Sequence, residues 1–215
     1  VTLAGFREAI ARPHGIVLIT GPTGSGKSTT LYAALSELVS PEVNVLTVED
    51  PIERIMEGVS QVQVSGKMGF AGALRSFLRH DPDVIMVGEI RDLDTADVAL
   101  KAAVTGHLVF STLHTNSAAA AVTRLADIGV ARFMIGATLV AVIAQRLVRR
   151  LCVRCKRPRP LNERERRLLG PEVETVFEPV GCAACSGSGW RGRVGLFETL
   201  WIDEALAQRI AVGAN

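Results

Sequence analysis

Short apolar runs alternate with longer stretches of helical period through most of the chain. Residues 16–20, 43–48, 83–89 and 108–112 are largely apolar and β-branched, and each is bounded by glycine, proline, serine or acid. They are predicted as buried strands. Residues 59–64 alternate polar and apolar, which predicts a strand near a sheet edge. Helices are predicted over 3–11, with Thr2 as cap, from the residues after Ser28 to about Val39, and over 69–78. Further helices are expected over 95–103, with Asp94 near the start, and over 117–128 and 132–147. This alternation predicts a mostly parallel sheet covered by helices, with its chemistry beyond the C-terminal ends of the strands.

The pattern breaks near Arg149. From there to Phe197 the chain is rich in Arg, Pro, Cys and Gly, and a last helix is expected over 201–212. The expected division is a core over 1–148, a small module over 149–197, and a C-terminal helix over 198–215 that packs back on the core or module. No internal repeat is visible.

Composition narrows the class. Of the 215 residues, 48% are apolar and 21% charged, which suits a folded protein rather than a disordered one. A net charge of +2 makes no argument for nucleic acid or a membrane surface. The basic residues of 146–167 form either a docking surface or a solvated face. The longest apolar stretch, 133–143, is shorter than the ~20 residues a membrane helix needs. No signal peptide is visible, and Val1 is not an initiator methionine. The chain is therefore expected to be a piece of a longer protein.

Candidate chemistry begins at Gly21-Pro22-Thr23-Gly24-Ser25-Gly26-Lys27-Ser28-Thr29, which follows a predicted strand and opens a predicted helix. The pattern G-x-x-x-x-G-K-[ST] in that context is a phosphate-binding loop. Its amides and helix N-terminus surround phosphate, its lysine reaches the β/γ-phosphates, and its serine ligates Mg2+. Hydrolysis also needs an acid near the metal and a group that orients water. Glu89 and Glu49 stand at two predicted strand ends and are the two candidate acids, helix capping or arginine pairing being the alternatives. His114, beyond the end of the next strand, is placed to contact a γ-phosphate; His107, at that strand's start, is less easily placed. Either is otherwise a structural histidine. Arg75 and Arg79, spaced i,i+4, share one helical face and are candidate arginine fingers or surface ion pairs. Arg54 and Arg91 are further candidates for charge compensation.

The four cysteines fall in two matching pairs, Cys152/Cys155 and Cys182/Cys185. Two such knuckles bring four thiolates to one tetrahedral ion. Zn2+ is expected, with iron as the less favoured alternative, and disulfides fit a cytoplasmic nucleotidase poorly. Four sulfur ligands close the shell, so the expected role is structural.

These residues together resemble the secretion ATPases that drive type II secretion and type IV pilus assembly. Gly21 to Ser28 matches that family's Walker A. Val48-Glu49-Asp50-Pro51-Ile52-Glu53 matches its Asp box. Val84 to Glu89, followed by Ile90-Arg91-Asp92, matches its atypical Walker B, with Glu where Asp is commoner. Thr105-Gly106-His107 through His114-Thr115-Asn116 matches its His box. Gln145-Arg146-Leu147-Val148-Arg149 and the cysteine set also match.

The resemblance implies an α/β fold: a RecA-like P-loop NTPase core with a mostly parallel sheet and a small tetracysteine zinc-binding module. It implies ATP, Mg2+ and Zn2+, and a cytoplasmic homo-hexamer held at the inner membrane by platform proteins. Nucleotide would sit between this motor domain and an upstream domain missing from the chain. Glu89 would be the catalytic acid, assisted by Glu49, the histidines and arginines. The cysteines favour the type II secretion or pilus-extension branch over retraction motors. A nucleic-acid translocase and a nucleotide-gated scaffold are the competing readings; no nucleic acid is expected.

Overall fold

A computed structural model of the chain describes residues 3–66 and 68–213; the cap expected at Thr2 lies outside the described residues. In chain order the elements are α1 (Leu3–Ile10), β1 (Gly15–Thr20), α2 (Lys27–Leu38), β2 (Val45–Glu49), β3 (Val59–Gln63) and α3 (Phe70–Phe77). There follow β4 (Val84–Val87), α4 (Leu93–Val104), β5 (Leu108–Leu113), α5 (Ala118–Asp127), α6 (Arg132–Thr138) and β6 (Leu139–Leu151). The chain ends with β7 (Arg157–Pro160), α7 (Glu163–Leu169), β8 (Thr175–Glu178), a 3-10 turn at Ala183–Cys185, β9 (Trp190–Trp201) and α8 (Glu204–Val212).

The main sheet runs in the order β3-β2-β4-β5-β1-β6-β9, and its neighbours from β3 through β6 are parallel. Parallel strands are covered on both faces, and β1 carries that requirement in its sequence. Ile16 and Leu18 enter the core on one face, with side chains of α3, α4, α5, α6 and α8. Val17 and Ile19 enter the other, with α1 and α2. A period of two applied to an unbroken apolar run thus feeds two cores from one strand. At full burial each such Ile, Leu or Val contributes roughly 1.5–3 kcal/mol.

The chain folds as two compact units: the described residues up to Arg146 together with those from Phe197 onward, and residues Leu147–Leu196. In the second, β7 and β8 form an antiparallel ribbon. Helix α7 begins with a capping box in which Asn162 accepts from the Glu165 amide and Glu165 accepts from the Asn162 amide.

Two sequence expectations change. The helix expected over 132–147 stops at Thr138, and the chain continues as β6 beside β1. Residues 139–144 are apolar at every position, so periodicity does not separate buried helix from buried strand. The β-branched Val140, Val142 and Ile143 and a place inside a parallel sheet favour the strand. A register shift between Ile16 and Val17 fits β6 onto β1. The helix expected over 201–212 starts later: Trp201 closes β9, and Asp203 caps α8 by accepting from the Leu206 amide.

Candidate nucleotide site and cysteine cluster

β1 leaves the sheet at Thr20, whose hydroxyl accepts from the Thr115 amide at 2.9 Å, tying the start of the loop to the residues after β5. The chain then turns through residues 21–26. Gly21 has φ +144°, and a Cβ there would lie 2.3 Å from the Gln145 carbonyl oxygen, so no larger residue fits. Gln145, buried on β6, clamps the loop: its side-chain Nε2 donates to Ser25 O at 2.8 Å and its side-chain Oε1 accepts from Thr30 Oγ1 at 2.7 Å. Pro22, Thr23 and Gly24 form the exposed crest, and Thr29 is exposed on the first turn of α2. Gly26 caps α2 in the left-handed region without a side-chain acceptor, leaving the first-turn amides facing outward as anion donors.

Lys27 Nζ donates to the loop's own carbonyls, Gly21 O at 2.9 Å and Pro22 O at 3.1 Å. Burial draws its pKa below the usual lysine value, while the charges of Glu89 and Glu53 oppose that shift. Ser28 Oγ donates to Glu53 Oε1 at 3.1 Å.

Glu89 lies just past β4, and the neighbouring strands pin its backbone. Gly88 N donates to Val48 O at 2.8 Å, and Ile90 N donates to Thr112 O at 3.0 Å. The side chain is 11% exposed. One oxygen pairs with Arg91; the other lies 3.4 Å from His114 Nε2 and makes no hydrogen bond. His114 is half exposed and stands at the same sheet edge as the loop.

Glu49 ends β2 and is 4% exposed. Its oxygens already accept from Tyr32 Oη, from Thr47 Oγ1 at 2.6 Å and from Gln61 Nε2 at 2.9 Å. Burial, and then the Glu49 carboxylate, push the Tyr32 phenol up to about 12, so it stays a donor. Tyr32 Oη also accepts from the Glu53 amide at 3.2 Å. Tyr32, Gln61 and the clamp made by Gln145 went unread in the sequence. Their partners are 12 to 120 residues away in the chain, and only the fold brings them together.

His107 precedes β5 and therefore stands at the opposite sheet edge from the loop. Its Nδ1 lies 2.9 Å from Ala102 O, and its own carbonyl accepts from Gly15 N. Arg75 is exposed on α3, but the helix ends at Phe77, which puts the exposed Arg79 in the following turn rather than on a shared helical face. Among the described residues neither arginine has an ion-pair partner at this site.

In the second unit the four cysteine sulfurs lie within 4.8 Å of one another. Cys152–Cys182 is 4.0 Å, while Cys155–Cys185 and Cys182–Cys185 are 3.8 Å. A tetrahedron with Zn–S bonds of ~2.3 Å has edges of about 3.8 Å, so the donors fit Zn2+ in kind, number and spacing. Amides of Cys182 and Gly189 point at Cys185 Sγ at 3.2 Å each. Burial opposes a thiolate there, but those amides and the neighbouring thiols outweigh it and bring Cys185 down to about 6. Burial pushes Cys155 up to about 11. The turn is tight: a Cβ at Gly181, φ +109°, would lie 2.4 Å from Gly187 O.

The chain is similar to known proteins over nearly its whole length. A family model described as "Type II/IV secretion system protein" matches residues 2–215. The type II secretion system protein E of Aeromonas hydrophila is 58% identical over 94% of this chain and 42% of its own length. The type IV pilus assembly ATPase PilB of Myxococcus xanthus is 50% identical over 99% of this chain and 39% of its own length. The chain thus spans about two fifths of the curated relatives it matches. Among solved structures, the pilus retraction motor PilT with bound ADP superposes with a TM-score of 0.72 at 35% identity, over 96% of this chain and 52% of that one. The ATPase DotB of Legionella pneumophila gives 0.71 at 31% identity, over 97% and 53%.

Proposed function

Because the chain belongs to the type II/IV secretion system protein family, we propose that it is the motor portion of an ATPase that drives pseudopilus or pilus assembly. The observation that carries this reading is a phosphate loop clamped after β1 and the buried carboxylate of Glu89 just past β4, at the same edge of a parallel sheet. Identities of 52–58% to type II secretion proteins, against 50–53% to PilB proteins, lean toward the type II secretion branch with overlapping ranges.

In this reading the outward amides of α2 and the loop bind the β-phosphate of ATP, and Lys27 leaves the Gly21 and Pro22 carbonyls for the β/γ-phosphates. Ser28 would hold Mg2+, which would supply positive charge against that developing on the phosphates. Glu89 orients and polarises the attacking water, the free oxygen taking the role of acceptor while Arg91 holds the other. His114 contacts the γ-phosphate from the same edge. Glu49 positions rather than reacts, through Tyr32. His107 stands at the opposite sheet edge; the exposed Arg75 and Arg79 are candidates for contact across a subunit boundary in a homo-hexamer. Zn2+ on the four cysteines is structural.

No helix among the described residues is long and apolar enough to cross a membrane. A cytoplasmic protein docked on inner-membrane platform proteins accords with that, with an upstream domain completing the nucleotide site.

The test is Mg2+-dependent ATP hydrolysis by the longest form of the protein, beside a Glu89→Gln variant, with oligomeric state measured on the same samples. Turnover by a hexamer that the variant loses while still binding ATP supports the assignment. Equal turnover in both removes Glu89 from catalysis.

A further inference from the structure

We propose that α7 of one copy of the chain docks in a groove between α4 and α6 of a second copy. The contact needs no nucleotide, so it stands apart from the ATPase reading, and it gives the homo-hexamer of that reading a specific interface.

The net charge of +2 conceals two opposite charges. Residues 147–196 carry eleven arginines and lysines against five glutamates, a formal +6. The rest of the chain carries thirteen against seventeen acids, a formal −4. Four thiolates on Zn2+ would lower the first figure and leave its sign. Opposite charges on two units of one chain attract copies head to tail, the basic unit of one to the acidic unit of the next. Such an interface is heterologous and makes a ring where its rotation closes.

The two surfaces match in detail. Helix α7 buries none of its residues. Leu168 is 73% exposed and Leu169 is also exposed, and Arg164 lies one turn from Leu168 on the same face. Arg167 is paired with Glu163 and Arg159 with Glu165, whereas among the described residues Arg164 has no carboxylate partner. A helix whose apolar side chains all stand in water is half of a contact. The groove, of about 440 Å3, is lined by Leu93, Leu100, Phe133 and Met134 and by the carboxylates of Asp94 and Asp97. Phe133 is 63% exposed. Lys101 answers Asp97 at 2.7 Å, which leaves Asp94 as the unpaired charge among the described residues.

An apolar floor with an acidic wall takes an amphipathic helix that carries basic residues. In the docked pair the α7 leucines meet Leu93 and Phe133, and Arg164 meets Asp94. The basic run at 146–167 is then a docking surface rather than a solvated face. A seven-residue helix buries less than the ~1,200–2,000 Å2 of a stable interface, so the contact is weak and salt-sensitive and adds to the other contacts of an assembly.

The test places the photocrosslinker benzoylphenylalanine at position 133 of the longest form of the protein, mixed with an equal amount of 15N-labelled, unsubstituted protein in buffer containing Zn2+. After illumination, peptide mass spectrometry is expected to find light position-133 peptides joined to heavy peptides that contain Leu168 and Leu169. Crosslinks to other segments alone, or within one copy alone, overturn the proposal. Sedimentation velocity then reads the charge pair. Asp94→Arg and Arg164→Asp are each expected to raise the association midpoint about 10-fold, and the two together to return it to within about threefold of the unsubstituted protein. Single variants that associate like the unsubstituted protein overturn the pairing, as does a double variant no better than either single one. A protein that stays monomeric throughout the titration overturns it too. ADP binding is expected to be the same in every variant; its absence from the unsubstituted protein would sink the nucleotide reading and leave this contact standing.

Discussion

The nucleotide loop and the cysteine cluster solve opposite problems. The loop stands on a large apolar foundation: β1 is buried at all six positions, and two cores flank it. Its functional groups can therefore be left imperfectly satisfied, as with the Glu89 oxygen that lacks a hydrogen bond and the lysine held on loop carbonyls. The cysteine unit has almost no foundation. Between Leu147 and Leu196 the buried apolar side chains are Cys152, Leu161 and Cys185, and two of these three belong to the cysteine cluster. So small a core does not hold a fold by itself, and the Zn2+ proposed for the four cysteines would take its place. In one unit packing pre-organises chemistry; in the other, the proposed coordination chemistry would substitute for packing.

Breaking that contrast starts with the metal. Cys152→Ser, or a strong chelator, should abolish hydrogen-exchange protection across 147–196 while leaving β1, β4 and β5 protected. Structural zinc is worth on the order of 10–16 kcal/mol in small domains, so the expected outcome is unfolding of that unit and not loosening. Retained protection would mean that the unit has a core beyond these three residues.

Next in size is Glu89→Gln, which keeps the shape and removes the charge. Turnover should fall about 100- to 10,000-fold with the melting temperature nearly unchanged, as measured by steady-state hydrolysis and calorimetry. Tyr32→Phe should act in the reverse sense. It leaves the buried Glu49 carboxylate short of a donor and should cost about 1–3 kcal/mol in denaturant unfolding.

The smallest effect belongs to the exposed capping box of α7. The Glu165 carboxyl is held down to about 2, first by Arg159 and then by the Asn162 amide. Its contribution is complete above the unfolded value of ~4.3 and is lost as pH falls toward about 2. Exchange at the α7 amides should rise, relative to intrinsic rates, only in that acid window, and Glu165→Gln should remove the pH step.

How much of this was legible depends on the range of the signal. The strands at 16–20 and 108–112 were readable because apolar runs bounded by glycine or proline carry their own boundaries. β6 was not, because its opening run of six apolar residues suits either regular structure until β1 and β9 supply the partners. The same split runs through the site. Gly21 to Ser28 and the cysteine pairs are local patterns whose spacing is the chemistry. Which acid of Glu49, Asp50 and Glu53 faces Ser28 is settled by Tyr32 and Gln61, and no spacing in the sequence encodes that. Strand direction likewise placed His114 on the loop's edge but left His107 open, until its contact with Ala102 put it at the far edge.

The order β4-β5-β1 has a consequence for the identity of residue 89. Backbone ladders fix the lateral step between strands at ~4.8 Å, so the tip of β4 sits two steps, about 9.6 Å, from the strand that feeds the loop. That gauge is set by main-chain geometry, and no side-chain replacement resets it. The only adjustable quantity is how far the acid projects from its strand. An aspartate at this position would stop one carbon–carbon bond short of where the glutamate ends. The sheet acts as a ruler, and residue 89 is cut to its length.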